Sequence, residues 1–342
     1  SCAIVLHCTL MSDPIISVGP LSFPAPTLDP FLFCVYHKDA YPAGDQHMQA
    51  PGMGNGADFN PSSPYRMYHG DRIPGFPQHP HRGFETLTAT TEGVIDHTDS
   101  MGNAGRYGDG DLQWMTAGKG IVHGEMFPLV HMDRPNPLRL FQIWLNLPGK
   151  DKMTEPCFVM HWAGQIPKPV SPDGKTKVTV YAGSLLGAQG LAPPPRSWAA
   201  DKNNHVGVWL LELAPGAVFT VPAAPAGTNR AAYFIEGPEV SIGTRVLKEQ
   251  CVIVLHGDRD VLLQNPSSSE PVEVLVLQGK PIGEPVAQHG PFVMNTQKEI
   301  MQAFSDYQRT KFGGWPWDAD AKVFPREKGR FALMNGKEDV PP

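Results

Sequence analysis

Apolar residues along this chain recur at every second position in short runs, and turn-forming residues separate the runs. The clearest run is Leu138–Leu147, where Phe141, Ile143, Leu145 and Leu147 fall on one face at the period of a β-strand. Glu85–Thr91, with Leu87, Ala89 and Thr91 on one face, Gly93–His97 and Leu112–Thr116 read the same way. A short strand followed by proline-rich loops is expected over Ile15–Phe33, and the polar, Gly- and Pro-rich stretch Tyr41–Arg72 reads as a long loop, a length that within a compact domain points to function or to a surface excursion. Pro148, Gly149, Pro156, Pro167, Pro169 and Pro172 in quick succession break the pattern, with a crossing between domains expected near Thr154–His161. Strand signals then resume at Val178–Ala182, Val206–Leu213, Ala217–Val221, Ala231–Ile235, Cys251–His256, Val261–Leu263 and Val272–Leu277. Two successive sets of short strands predict an all-β chain of two stacked barrels or sandwiches.

One helix is expected near the end. Thr296-x-x-Glu299 forms a capping box, Ile300, Phe304 and Tyr307 make an apolar stripe, and Gly313-Gly314 supplies a stop. The domain limits expected are 15–155 and 156–292, then the helix over 293–314 packing back on the domains, and a tail over 315–342 whose Trp315-Pro316-Trp317 straps onto a domain surface before a polar end.

Composition sharpens this picture at three points. The 36 prolines, about twice the usual ~5 %, punctuate apolar runs instead of forming blocks, which favours many tight turns over disorder. A net charge of −6, with no cluster of Lys and Arg on one face, argues against direct nucleic-acid binding. The five cysteines are scattered without a C-x-x-C pair, so a reducing compartment is expected and neither a disulfide framework nor a zinc ribbon is. Ser1–Met11 lacks a basic n-region and reads as an upstream extension with Met11 as an alternative start, and no run approaches the ~20 apolar residues of a membrane span.

The candidate chemistry lies in two tripeptides. His79-Pro80-His81 aims two imidazoles at one spot, because side chains two apart on a strand share a face, and His123-Gly124-Glu125 repeats the arrangement with one imidazole and one carboxylate. If the two segments face each other across a barrel, three nitrogens and one oxygen converge on a single divalent ion. That ligand set suits Fe, Mn, Ni, Cu or Zn without choosing among them, and an octahedral ion would keep two positions open. A lone histidine is by default a satisfied polar residue, and His97, His131, His161, His205, His256 and His289 take that reading. The metal reading rests on the pairing of the two tripeptides.

The stretch from Gly75 to Thr86, with its H-x-H followed by Glu85 and then Gly93, is similar to the first cupin motif, and Gly118–His123 to the second. More narrowly, HPHRGFET, GDLQWMTAGKGIVHGEM and the C-terminal GPFVMNTQKEI resemble the signature stretches of the pirin family, a likeness that runs from about Asp29 to Phe312. It implies two cupin-type barrels in tandem, a bicupin, with a metal in the first and none in the second. It implies His79, His81, His123 and Glu125 as ligands, with Glu85 beside the site and not in it. Fe(II) is the metal it favours, with Mn, Ni, Cu, Co or Zn as substitutes. Phe76 and Arg82 flank the ligands and are expected at the pocket mouth as substrate-binding residues, whereas Trp114 and Met115 are expected in the core.

Two functions follow from the resemblance. In the first, the protein is a quercetinase-type dioxygenase acting on a flavonol-like aromatic substrate and dioxygen, with Glu125 taking the proton of the flavonol 3-hydroxyl as general base. In the second, it is an iron-dependent transcriptional co-regulator that binds protein partners without turnover. A monomer in the cytoplasm is expected, with the nucleus as a second location and without membrane association.

Overall fold

The computed structural model describes residues 13–342, so the expected upstream extension, with Cys2 and Cys8, lies outside the described residues. Two sheets close the first barrel. One has five strands in the order Cys157–His161, Leu112–Thr116, Phe84–Glu92, Asn136–Asn146, Phe31–Tyr41. The other runs Lys337–Asp339, Phe331–Met334, Ala104–Gly108, Val94–Asp99, Ile121–Met126, Gly75–His81. All the pairings are antiparallel, as the short period-two runs require.

Parity along the strand Phe84–Glu92 divides its two faces. Thr88 points into the barrel and reaches Glu125 on the facing sheet. Leu87 and Ala89 point outward, and with Trp114, Phe141, Ile143 and Leu145 they join a buried apolar layer shared with Leu210, Tyr233 and Leu275 of the second barrel. The run identified from Phe141, Ile143 and Leu145 is therefore the surface through which the barrels pack. Each large apolar side chain buried there contributes roughly 1.5–3 kcal/mol.

The second barrel sets a six-stranded sheet, Ile15–Pro20, Cys251–His256, Asn229–Glu236, Val272–Gly279, Gly207–Leu213, Thr176–Ala182, against a four-stranded one over Val218–Val221, Val261–Gln264, Val240–Ile242 and Arg245–Leu247. Its interior is filled by an apolar cluster that includes Leu211, Phe219, Phe234 and Ile253. Two strands pair away from their sequence neighbours. Ile15–Pro20 adds to Cys251–His256 in the second barrel, while Cys157–His161, in the segment that the proline-rich pattern marks as the crossing, still pairs with Leu112–Thr116 in the first.

The C-terminal helix spans Gln297–Thr310, and its Thr296 Oγ1 accepts from Glu299 N at 3.2 Å while Glu299 takes the Thr296 hydroxyl at 2.9 Å. The Thr296 half of the expected capping box is formed, while the Glu299 carboxylate turns to the Thr296 hydroxyl and the Asn295 N–H and not to the Thr296 N–H. Helix and first barrel meet at Gly120, where a Cβ would lie 2.7 Å from the Phe312 ring, so only glycine admits that aromatic. Beyond the helix, Trp317 Nε1 donates to Asp99 O at 2.8 Å, and Phe331–Met334 then pairs with Ala104–Gly108. The tail thus extends the first barrel by two strands, the short apolar Phe331–Met334 and the polar Lys337–Asp339, where the sequence reads only a polar end. Arg106, paired with Asp96, secures it by donating to the carbonyls of Phe324, Pro325 and Lys328. No described helix is long and apolar enough to cross a membrane.

Candidate metal centre

The strands Gly75–His81 and Ile121–Met126 are not on opposite sides of the barrel but are antiparallel neighbours, with His79 directly opposite His123. Residues opposed in this way keep their side chains on one face with Cβ atoms ~5 Å apart, close enough for both to reach one ion. An irregularity in the pairing between Phe76 and His79 sets the register that brings them face to face. His81 joins from the same strand. The ring centroids of His79 and His123 are 4.5 Å apart, those of His79 and His81 4.8 Å, and those of His81 and His123 4.9 Å. One ligating nitrogen from each lies within 4.8 Å of the other two.

Hydrogen bonding leaves these nitrogens free. His79 Nδ1 is 2.8 Å from Pro77 O, a contact that requires its proton on Nδ1 and leaves a bare lone pair on Nε2. His81 Nδ1 and both nitrogens of His123 are buried without a partner. An unpaired buried polar atom costs about 1–3 kcal/mol, so a free nitrogen on each of His81 and His123, beside that of His79, is explained by a group that the three rings bind together. Burial, reinforced by the neighbouring imidazoles, brings the pKa of His79 down to about 4 and those of His81 and His123 well below the ordinary histidine value. All three are held neutral, the form that ligates a cation. The residues fit a divalent metal. Among the described residues this is the one such cluster of His, Cys, Asp and Glu, and the second barrel has none.

Glu125 projects from the same strand face as His123, next to the three nitrogens that lie within 4.8 Å of one another. Its Oε1 accepts from Thr88 Oγ1 at 2.9 Å and from Tyr107 OH at 3.3 Å, and its Oε2 accepts from Gln142 Nε2 at 3.3 Å. Burial raises its pKa, opposed by His97 and by these three donors. Thr88, Tyr107 and Gln142 come from three other strands, and no spacing in the sequence connects them to Glu125. His97, read from sequence as an ordinary polar residue, is fully buried with its ring 5.5 Å from that of His123 and Nε2 3.3 Å from Asp99 Oδ2.

His79, His81 and Glu125 open onto a cavity of about 550 Å³ whose other walls are largely aromatic, among them Phe23, Phe33, Phe76 and Trp144. Phe76 lines the cavity. Arg82 does not: its Nε donates to Lys119 O at 2.6 Å, its Nη1 meets Asp306 Oδ2 at 2.9 Å, and its guanidinium stacks on Phe312. The reason is again parity, since Arg82 follows His81 and so faces the opposite way, toward the C-terminal helix. Glu85 also lies off the cavity. It shares the outward face of Leu87 and is fully buried between the barrels, accepting from Thr116 Oγ1, Trp114 Nε1 and Ser197 Oγ. The long loop supplies Gly56, Phe59 and His69 to the cavity, and Trp114 and Met115 are core residues as expected.

Comparison with known proteins agrees with this architecture. Residues 25–145 match the Pirin family model, and residues 208–313 match the model of the pirin C-terminal cupin domain. A pirin-like protein of Solanum lycopersicum is 39 % identical over 244 residues, covering 70 % of this chain and 77 % of that protein. A Pseudomonas aeruginosa protein provisionally named quercetin 2,3-dioxygenase is 35 % identical over 256 residues, covering 75 % of this chain and 82 % of that protein. The crystal structure of a quercetin 2,3-dioxygenase from Acinetobacter baumannii superposes with a TM-score of 0.65 at 31 % identity, over 83 % of this chain and 86 % of that one. The two barrels are thus of the cupin type.

Proposed function

This chain belongs to the pirin family, and on that premise we propose that it is a quercetinase-type dioxygenase that holds one iron(II) ion through His79, His81, His123 and Glu125. One observation carries the reading: three neutral imidazoles, two of them buried with unpaired nitrogens, converge beside an aromatic-walled cavity. A bound divalent ion supplies Lewis-acid and redox chemistry at that point. The chain's own groups do the rest. Phe76 and Trp144 offer flat apolar faces to a planar aromatic substrate and keep water from it. Glu125 is the general base. Oε1 is engaged by two hydroxyl donors and Oε2 by one amide, so Oε2 is the oxygen with capacity to take the proton of a flavonol 3-hydroxyl.

The test is turnover. The Fe(II)-loaded protein is incubated with quercetin in air, and loss of flavonol absorbance is followed beside Glu125→Ala and His81→Ala. Turnover in the wild type and a loss of at least a hundredfold in both variants is expected. Equal rates in all three reject the assignment. No turnover by fully loaded wild type rejects the quercetinase and leaves the iron-dependent co-regulator reading standing.

A further inference from the structure

A second polar group, His37, faces the same cavity, and neither the metal cluster nor the general base uses it. Its Nδ1 lies 2.7 Å from Tyr68 OH, and that hydroxyl lies 2.7 Å from Asp39 Oδ2. Tyr68 has one proton to give. Burial raises the pKa of Asp39, but the Arg66 guanidinium ion-paired to its Oδ1 at 2.8 Å, with Arg66 N a further donor at 2.9 Å, holds it as the carboxylate. Two oxygens 2.7 Å apart need a proton between them, so Tyr68 donates to Asp39. His37 must then carry its proton on Nδ1 and donate to the Tyr68 oxygen. Nε2 is left with a bare lone pair and no hydrogen bond from any described residue, on a ring that lines the cavity. Burial, with the Arg66 charge second, pushes the His37 pKa down to about 3, which keeps the ring neutral.

We infer that His37 Nε2 accepts a hydrogen bond from a hydroxyl of the bound ligand, at a point on that ligand away from the metal, with Tyr68 and Asp39 as positioning residues. The ring of Phe76 lies between the two ends, 6.1 Å from His37 and 6.3 Å from His79. Phe23 packs edge-on to His37 at 5.3 Å. A ligand that reaches both ends is therefore a polycyclic phenol: flat where it lies along Phe76, and hydroxylated at the end that meets His37. A plain aromatic hydrocarbon would leave the Nε2 lone pair unpaired and bind less well. The long loop gains a role, because Tyr68 and Arg66 belong to it and fix the tautomer of a residue on the barrel.

This deepens the quercetinase reading and rests on it for the choice of probe. Binding of quercetin and of 3-hydroxyflavone, which keeps the metal-side hydroxyl and lacks all remote ones, is measured by tryptophan fluorescence on Fe(II)-loaded protein under argon. The wild type should prefer quercetin, and His37→Phe should reduce that preference about five- to tenfold with affinity for 3-hydroxyflavone and metal content unchanged. His37→Gln, which restores an acceptor, should recover part of it. Tyr68→Phe removes a single oxygen atom and should lower the preference on its own, so it decides the matter if His37→Phe does not fold. A preference unchanged in the folded variants overturns the inference. Aerobic turnover on the same samples separates the two readings. Turnover with an unaffected preference sinks only His37, a preference lost without turnover in any sample sinks only the dioxygenase, and no binding of either flavonol sinks both.

Discussion

Thr88 Oγ1 donates to Glu125 Oε1 at 2.9 Å from the opposite sheet of the barrel, and the same oxygen lies 2.7 Å from Gln142 Oε1, so one proton serves two buried acceptors. With Tyr107 OH and Gln142 Nε2, this makes a polar cage for a carboxyl that burial alone would disfavour as an anion. Thr88→Val and Tyr107→Phe each remove one donor without changing shape. Each should lower the stability of the metal-free protein by about 1–2 kcal/mol, read from urea unfolding at pH 7. An unchanged midpoint in both would mean that the cage does not hold Glu125.

Glu85 provides a pH dependence separable from the metal. Burial raises its pKa from the ordinary 4.5 to about 7, against the three donors Ser197, Thr116 and Trp114. The folded state therefore keeps the proton between pH 4.5 and 7 while the unfolded chain releases it. More protons are bound in the folded state, so stability falls as pH rises through that window and is level above it. Glu85→Gln cannot titrate. Its stability relative to wild type should rise across the window by on the order of 2–3 kcal/mol and be flat above pH 7, as measured by urea unfolding at stepped pH. A constant difference across the range would show that Glu85 titrates normally.

Arg82 separates a structural role from a substrate-binding one. Arg82→Met breaks the ion pair to Asp306 and the bond to Lys119 O, both at low exposure. It should cost about 2–3 kcal/mol and loosen the C-terminal helix, seen as faster amide exchange over residues 297–310. Flavonol affinity should stay within twofold. A large loss of affinity with unchanged stability would return Arg82 to the substrate.

Much of this was legible in the sequence because it is local. Period-two alternation found the strands, and identical spacing in HPH and HGE placed the candidate ligands in pairs on single faces. Alternation says which side chains share a face but not which strands are neighbours. Hence the two tripeptides read as facing across the barrel when they are adjacent strands, and Arg82, one residue out of phase with His81, turns to the helix. The partners of Glu125 and the Asp39–Tyr68–His37 chain are assembled from strands and a loop far apart in sequence, and only the fold brings them together. Of the tail strands, Lys337–Asp339 escaped notice because it is exposed on an edge, where no apolar alternation is needed, and Phe331–Met334 because four apolar residues in a row show no period.

The most direct test of the central claim is the metal content of the purified protein. After loading with Fe(II) under argon and removal of unbound ion, mass spectrometry should count one iron per chain in the wild type and less than a tenth of that in His123→Ala. One iron per chain retained by a folded His123→Ala protein would contradict the site.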